Sequence, residues 1–498
     1  MRTLTLLSRP KSEGGILIQQ TIKPNILGTE NINKLIFKFA TPTILSMLTV
    51  SLYNLVDQIF IGHAVGYLGN AAINVAFPIN SIVMGFALWI GDGTATYIAM
   101  NLGAGRTEEA DKAVSQSVIL LAIVSVITTA FGYLFMEPIL NVSGCTALML
   151  PYAMEYTKYI LLGLPFLIFT CGSNPSIRAD GNPRYAMMSM MAGCALNCVL
   201  DPLFIFGFNM GLAGAALATV ISQLFSAILV LAYFPRLKTF KFEMKNVRLH
   251  GKLPLTVMKL GLSSLTLNCC QVVNVLIINN LLIFYGAMSS LGAEAVFAAM
   301  GAAQKVAFVS TNVTTGIGIG SQPIIAFNRG ALNFDRVREC YFSALKMTFV
   351  FSAVVLVLTR IFPVQIMQIF GDDTPGFMTF GIAVLEIWML TIMLSAFQDV
   401  STSFFQSIGR PFLAMSIPLA RRILLILPLS YILPQYWGVI SILWAGPIAD
   451  TVVSFIILGL LRKSFREMRS GTFSKDDPKY QKDLQTPEVA TEKLTGIR

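Results

Sequence analysis

The sequence predicts an all-α integral membrane protein whose twelve transmembrane helices form two parallel repeats of six. Three observations lead to this fold class: an apolar composition, twelve long apolar segments and an internal repeat. Of the 498 residues, 55% are apolar and only 12% are charged, about half of the ~25% charged residues in soluble domains. A soluble chain of this length would form about three domains, each with a charged surface. The composition therefore argues against a soluble enzyme.

The apolar segments are each long enough to cross a hydrocarbon layer about 30 Å thick. Several are longer than the ~20 residues that a crossing needs, which indicates tilted, kinked or protruding helices. In chain order, the twelve segments are 35–62, 68–101, 112–136, 149–173, 183–207, 211–235, 254–286, 293–328, 336–362, 376–407, 411–434 and 438–463.

The Lys and Arg residues predict the orientation of these helices. The loop after the sixth segment carries six of them against one acid, Glu243. The other even-numbered loops are basic as well, whereas the odd-numbered loops HAVGYLGN, FGFNMG and PQYWG contain no Lys or Arg. Because basic loops stay on the cytoplasmic side, we expect both termini in the cytoplasm and the protein in the inner (cytoplasmic) membrane of the cell.

The two halves of the chain repeat each other. Residues 90–104 and 317–331 are identical at eight of fifteen positions at an offset of 227, and Gly181-Asn182-Pro183 matches Gly409-Arg410-Pro411 at an offset of 228. Transporters use such parallel repeats, with the substrate site between them. The predicted parts are a cytoplasmic tail (1–34), an N-terminal lobe of helices 1–6 (35–235), a basic cytoplasmic linker (236–253), a C-terminal lobe of helices 7–12 (254–463) and a polar cytoplasmic tail (464–498).

Four polar side chains inside the first lobe indicate an ion site. Asp57 and Asp201 lie about five or six residues from the outer ends of their segments, and Asn197 precedes Asp201 by one helical turn. Thr219 lies at a similar depth in the sixth segment. Charges inside a membrane are costly, about 2.5–3.5 kcal/mol on insertion scales. Two carboxylates, an amide oxygen and a hydroxyl can hold Na⁺ or share a proton. Alternatively, Asp201 only tethers a helix end beside Pro202.

The second lobe lacks this set, because Asn279, Leu425 and Leu429 occupy the roughly corresponding positions. We therefore expect an ion site that is confined to the first repeat.

Other features of the apolar segments are less specific. Glu386 aligns with Lys158 across the repeats and could face it over a cavity, although a static ion pair between helices is the simpler explanation. Asp450 lies in the middle of its segment and is a candidate contact for a cationic substrate. Pro42 removes a helical hydrogen bond from the first segment and favours either a kink or a simple bend near its start.

Three parts of the chain resemble the multidrug and toxic compound extrusion (MATE) transporters, and the likeness extends over about residues 33–465. They are FATPTILSMLTVSLYNLVDQIFIG, IRADGNPRYAMMSMMAGCALNCVLDPLFIFGFNMGLAGAALATVISQ and the repeated G-x-G…N-x-G-A. The DinF-like branch, which includes MepA-type exporters, is the most similar. The resemblance implies the fold of the MOP superfamily, in which two six-helix lobes surround a V-shaped cavity and expose it alternately to the two sides.

The resemblance also implies roles for individual residues. Six of them match positions that serve the coupling cation in that branch: Asp57, Asn197, Asp201 and Thr219 as ligands, Tyr53 as a lining residue and Pro42 as the bend of the first helix. A second, NorM-like branch uses acidic residues of the C-terminal lobe. Glu386, Asp399 and Asp450 fit that pattern only loosely, so Glu386 and Asp450 are kept as candidate substrate contacts.

The function implied is a secondary active multidrug antiporter that exports lipophilic or cationic compounds in exchange for H⁺ or Na⁺. We expect small cationic amphiphiles and the bilayer as partners, with no nucleic acid, no cofactor besides the coupling ion and a monomeric state. One alternative is a lipid-linked oligosaccharide flippase of the same superfamily, which would need a more cationic cavity. Another is a membrane-embedded enzyme or receptor, but the chain has no catalytic or nucleotide-binding motif, and we expect no enzymatic activity.

Overall fold

The computed structural model describes residues 25–369 and 375–475, and helices make up most of them. Six long helices form the N-terminal half: α1 (Ile32–Val65), α2 (Tyr67–Gly103), α3 (Thr107–Leu134), α4 (Leu150–Ala179), α5 (Pro183–Pro202, continued by a π turn at Leu203–Gly207) and α6 (Gly211–Tyr233). The predicted tails extend beyond the described ranges, at 1–24 and 476–498.

Six more long helices form the C-terminal half. They are α7 (Leu253–Ala287), α8 (Ala293–Gly330), α9 (Phe334–Ile361), α10 (Pro375–Ile387, Trp388–Thr391 and Ile392–Ser407), α11 (Pro411–Pro418, Leu419–Ile426 and Leu427–Trp437) and α12 (Val439–Trp444 and Ala445–Arg469). Short helices lie at Ile26–Thr29, Met136–Val142, Phe234–Arg236, Met244–Asn246, Pro363–Gln368 and Thr472–Lys475.

Each predicted apolar segment coincides with one of these long helices, and the ends differ by no more than six residues. Eleven of the helices in the described ranges are long and apolar enough to cross a membrane, and α8 is the exception. Its polar side chains face other helices: the Asn312 amide donates to the Ser51 hydroxyl of α1, and the Gln322 amide donates to Gln406 of α10. The all-α membrane fold is therefore confirmed, with one helix more polar than the others.

Both lobes contain the same turn between their fourth and fifth helices. Gly181 adopts a φ of 88° before α5 starts at Pro183, and Gly409 adopts a φ of 81° before α11 starts at Pro411. Glycine reaches positive φ at little cost, and proline in the first turn of a helix sacrifices no hydrogen bond. The repeated Gly-x-Pro is thus a helix stop followed by a helix start. The offset of 228 also relates the ends of α4 and α10 and the starts of α6 and α12.

The turns at 104–106, 180–182, 331–333 and 408–410, together with residues 236–252, form one end of the molecule, which we call the basic face. The other end is called the opposite face. Residues 236–252 pack against the N-terminal lobe, where the Asp180 carboxylate accepts hydrogen bonds from the Tyr233 hydroxyl at 2.8 Å and the Thr239 backbone at 2.7 Å. Phe240 is buried beside them. The linker is therefore attached to the lobe that precedes it.

The two lobes touch through close backbone contacts in the half of the molecule near the basic face. Gly93 and Gly261 lie where α2 crosses α7, and Gly320 lies where α8 crosses α1. A side chain at any of these glycines would overlap backbone atoms of the other helix. A polar contact adds to them, because the Ser264 hydroxyl of α7 donates to the Asp92 carboxylate of α2 at 2.7 Å. The lobes are thus joined along the basic half.

Candidate functional site

Four polar side chains of the N-terminal lobe meet between α1, α5 and α6. The Asn197 amide donates to the Asp201 carboxylate at 3.0 Å and to the Thr219 hydroxyl at 3.4 Å. The carboxyl group of Asp57 lies close to that of Asp201. All four residues are at most 7% exposed. The structure therefore brings together the set that the sequence singled out.

Within residues 25–369 and 375–475, three oxygen atoms of this cluster are buried without a hydrogen-bond partner. They are Oδ1 of Asp57, Oδ1 of Asn197 and Oδ2 of Asp201. A buried acceptor that lacks a partner costs about 1–3 kcal/mol, and a charged one costs more. Hard cations prefer oxygen ligands of these types, and a proton shared by two carboxyl groups would remove the repulsion between them. The donor set therefore fits a bound cation or a shared proton.

The backbone at the end of α5 departs from regular α-helix next to the cluster. Pro202 follows Asp201 directly and carries no N–H, and the chain then forms the π turn Leu203–Gly207. Proline removes one bond of the helical ladder, and single π turns are frequent at functional sites. Asp57 and Thr219 each lie eight residues from the helix end at the opposite face, a distance of about 12 Å along the axis.

Two tyrosines complete the site, and sequence reasoning missed one of them. Tyr53 lies one turn before Asp57 on α1 and interacts electrostatically with both carboxyl groups. Tyr156 of α4 is 4% exposed and interacts with the same two groups. The signal in the sequence is a tyrosine within an apolar segment, where its hydroxyl needs a polar partner. Only the tertiary structure, which places Tyr156 near Asp57 and Asp201, identifies that partner.

A cavity lies beside this cluster within the N-terminal lobe. Its volume is about 100 Å³, which is below the ~300–1,000 Å³ range of small-molecule pockets. Tyr53, Asn197 and Thr219 form part of its wall, and Met84 and Met190 contribute flexible apolar surface. Methionine adapts to ligands of different shapes. Asn197 and Thr219 thus belong both to the ion cluster and to the cavity wall.

Pro42 is buried inside α1, near the contact of that helix with α8. The hydroxyls of Thr43 and Ser46 donate to the backbone carbonyls of Phe39 and Pro42, at 2.8 and 2.9 Å. Hydroxyls that bond back in this way weaken and often bend a helix. Two local features therefore loosen the ladder of α1 at this point, and the role of Pro42 as a hinge stays a prediction.

The two predicted substrate contacts lie in different environments. Glu386 is exposed on α10, where its backbone carbonyl accepts a hydrogen bond from Arg360 at 2.6 Å. Within 25–369 and 375–475, its side chain forms no ion pair with Lys158, which is also exposed. Asp450 is 1% exposed. Its carboxylate accepts hydrogen bonds from Arg421, Thr391 and Ser395. Both roles stay predictions. Asp450 would have to break these hydrogen bonds to contact a substrate.

The sequence model of the MatE family matches residues 42–203 and 270–432, which include most of both lobes. The chain belongs to the MatE family. Each matched range begins in the first helix of a lobe and ends in the region of its fifth, so the family match contains the internal repeat. The resemblance to MATE transporters is confirmed.

Similar proteins agree with this assignment. The Multidrug export protein MepA of Staphylococcus haemolyticus is 25% identical and covers 86% of this chain and 93% of its own. The FAD transporter of Shewanella oneidensis is 26% identical and covers 89% of this chain and 97% of its own. Both relatives are transporters, which confirms the expectation that the protein is not an enzyme.

A solved structure has the same fold. It is described as an outward-facing conformation of a multidrug resistance MATE family transporter of the MOP superfamily. It superposes on this chain with a TM-score of 0.82 at 22% identity, and the alignment covers 89% of this chain and 97% of that one.

Proposed function

We propose that this MatE protein is a secondary active efflux antiporter, which exports lipophilic or cationic small molecules in exchange for H⁺ or Na⁺. The observation that carries the proposal is the trio of buried oxygens without partners on Asp57, Asn197 and Asp201. They fit a bound cation or a shared proton. Tyr53 and Thr219 connect this cluster to a cavity inside the N-terminal lobe. In support, one relative is named a multidrug export protein.

Cation binding acts through α1 and α5. A proton or Na⁺ at the cluster removes the repulsion between the carboxylates of Asp57 and Asp201, so that the two helices can approach and narrow the cavity. The narrow cavity disfavours the bound drug. The coupling is reciprocal, on a scale of about 1–3 kcal/mol, and bound drug weakens cation binding by the same factor.

The remaining parts of the proposal concern the membrane. We place the basic face in the cytoplasm, because basic loops stay on that side, with the monomeric protein in the inner membrane. Cations then enter from outside down their gradient while the drug leaves. Apolar walls that contain methionine favour broad and weak selectivity.

The experiment is dye efflux from everted vesicles that contain Asp57→Asn. Asparagine keeps the size of the side chain but removes the charge and the proton-binding oxygen, so cation-driven efflux should be lost at normal expression. Glu155→Gln is the matched control, since Glu155 is an exposed carboxylate on α4 next to the buried Tyr156. Normal efflux by Asp57→Asn would refute the proposal. Transport of lipids, with organic cations ignored, would favour the lipid-linked oligosaccharide flippase.

A further inference from the structure

The C-terminal lobe carries charges where the N-terminal lobe has its cavity. The offset of 228 that superposes the ends of the helices also pairs residues of the two lobes. It pairs the cavity-lining Cys171, Cys194 and Ser222 with Asp399, Arg422 and Asp450. The same offset pairs Asn197, Asp201 and Thr219 with Leu425, Leu429 and Pro447. The two lobes therefore place different chemistry at equivalent positions: a cation set in one and an arginine-rich cluster in the other.

Arg421 is paired with one of the two acids of this cluster, Asp450. Its Nε donates to the Asp450 carboxylate at 2.6 Å, and its terminal nitrogen donates to the Ser395 hydroxyl at 2.7 Å. Asp399 accepts a hydrogen bond from the Thr314 hydroxyl at 3.0 Å, and within residues 25–369 and 375–475 it forms no ion pair with either arginine. Among the described residues, Arg421 thus forms the ion pair of this cluster, and Arg422 takes no part in it.

Arg422 lies beside this ion pair, and its guanidinium is not part of it. Within residues 25–369 and 375–475, that group forms no hydrogen bond and no ion pair, although the backbone carbonyl of Arg422 accepts a bond from the Asn274 amide. The charged and titratable groups that face it are Arg421, Asp399, Cys270 and Asp450, which come from α11, α10, α7 and α12. An arginine among membrane helices is costly unless it is paired, and a guanidinium carries five N–H donors.

The cluster is enclosed by helices but is not sealed. Arg421 retains 16% of its side-chain exposure, and Arg422 and Asp399 are also half-buried. These residues lie among α7, α10, α11 and α12, from which their hydrogen-bond and electrostatic partners come. A small anionic group could therefore reach the donors of Arg422.

We propose that Arg422 forms an anion subsite in the C-terminal lobe, which takes a carboxylate or phosphate group of the exported compound. The inference rests on the proposed efflux function and specifies its substrates as amphiphiles that carry an anionic group besides their apolar or cationic part. The guanidinium fork holds such a group through two parallel hydrogen bonds. A purely cationic compound gains nothing from this contact.

The test uses two dyes that differ only at the anionic group: a rhodamine with a free benzoate and its methyl ester. Binding to the purified protein in phosphatidylcholine nanodiscs is measured by fluorescence anisotropy, without an ion gradient. Arg422→Gln should raise the dissociation constant of the acid about tenfold or more, because that factor corresponds to the loss of a hydrogen bond to a charged group. The dissociation constant of the ester should change less than about twofold. Arg422→Lys keeps the positive charge but lacks the two parallel N–H donors of the guanidinium, so this variant should lose part of its affinity for the acid.

Lys158→Gln is the matched control, since it removes a positive charge from an exposed side chain of α4. Unchanged acid binding in Arg422→Gln, or an equal loss for acid and ester, would overturn the proposal. If Arg422→Gln does not fold, Arg422→Lys is measured instead. A ratio of acid affinity to ester affinity equal to that of the wild type would then overturn the proposal. Phosphatidylglycerol that competes with the acid would identify a lipid phosphate as a second ligand of the subsite. Because no gradient is present, this result is independent of the efflux assay of Asp57→Asn.

Discussion

Gly320→Ala should separate the two lobes where α8 crosses α1. A Cβ atom at Gly320 would lie 2.7 Å from both the Cα and the backbone nitrogen of Ala40, whereas ordinary contacts begin at 3.4 Å. The helices must therefore move apart by about 0.7 Å, and no side-chain rotation can relieve the overlap because the obstructing atoms are backbone. Overpacking of this kind costs about 1–3 kcal/mol, which corresponds to a population shift of about five- to 150-fold away from the joined arrangement.

The assay combines efflux with hydrogen exchange of residues 35–45 and 315–325. In Gly320→Ala, exchange in both segments should rise and efflux should fall, since the proposed alternating access requires the lobes to join at the basic face. Gly301→Ala is the control on the same helix, because a Cβ there meets no atom of the described residues within 4 Å. Replacing glycine with alanine also stabilises a helix by up to ~1 kcal/mol. Both substitutions have this effect, and Gly301→Ala measures it alone. Wild-type exchange and efflux in Gly320→Ala would refute the reasoning.

Two further predictions concern α1 and α2. Pro42→Ala should leave folding and insertion intact but weaken the antagonism between cation and drug, which a titration of drug affinity against pH and Na⁺ measures. Full antagonism with full efflux in that variant would mean that drug and cation compete directly for Asp57 and Asp201. Asp92→Asn should lower thermal stability in detergent by about 3 kcal/mol, because Arg178, 3.8 Å from the carboxylate, would remain as a buried charge without compensation. A melting temperature equal to that of the wild type would contradict this account.

Much of the fold was predictable from local features. Apolar length alone located the twelve helices, because a membrane-crossing helix must satisfy its backbone internally and present apolar side chains to lipid. The α8 helix tests the limits of that rule. Its Asn312 and Gln322 are tolerated because they bond to Ser51 and Gln406 on neighbouring helices, and those partners are distant in sequence.

The candidate site was only partly predictable. Asp57, Asn197 and Asp201 could be found because polar groups inside apolar segments are costly and so indicate function. Tyr156 could not be assigned to them, since its apolar segment gives no sign of which helix it packs against. The repeat offset likewise aligned Cys194 with Arg422, but it did not reveal that one lines a cavity and the other lies beside an ion pair.

The sequence by itself determined the membrane fold, the repeat and the polar residues at matched depth, because these depend on composition and on helical spacing along one chain. The tertiary structure decided which oxygens of Asp57, Asn197 and Asp201 lack partners, which arginine of the C-terminal lobe is paired, and where glycines join the lobes. Those properties depend on contacts between helices far apart in the chain. A displacement of less than an ångström can make or break a hydrogen bond or a steric overlap. The hydropathy of a sequence does not specify atomic positions at that precision.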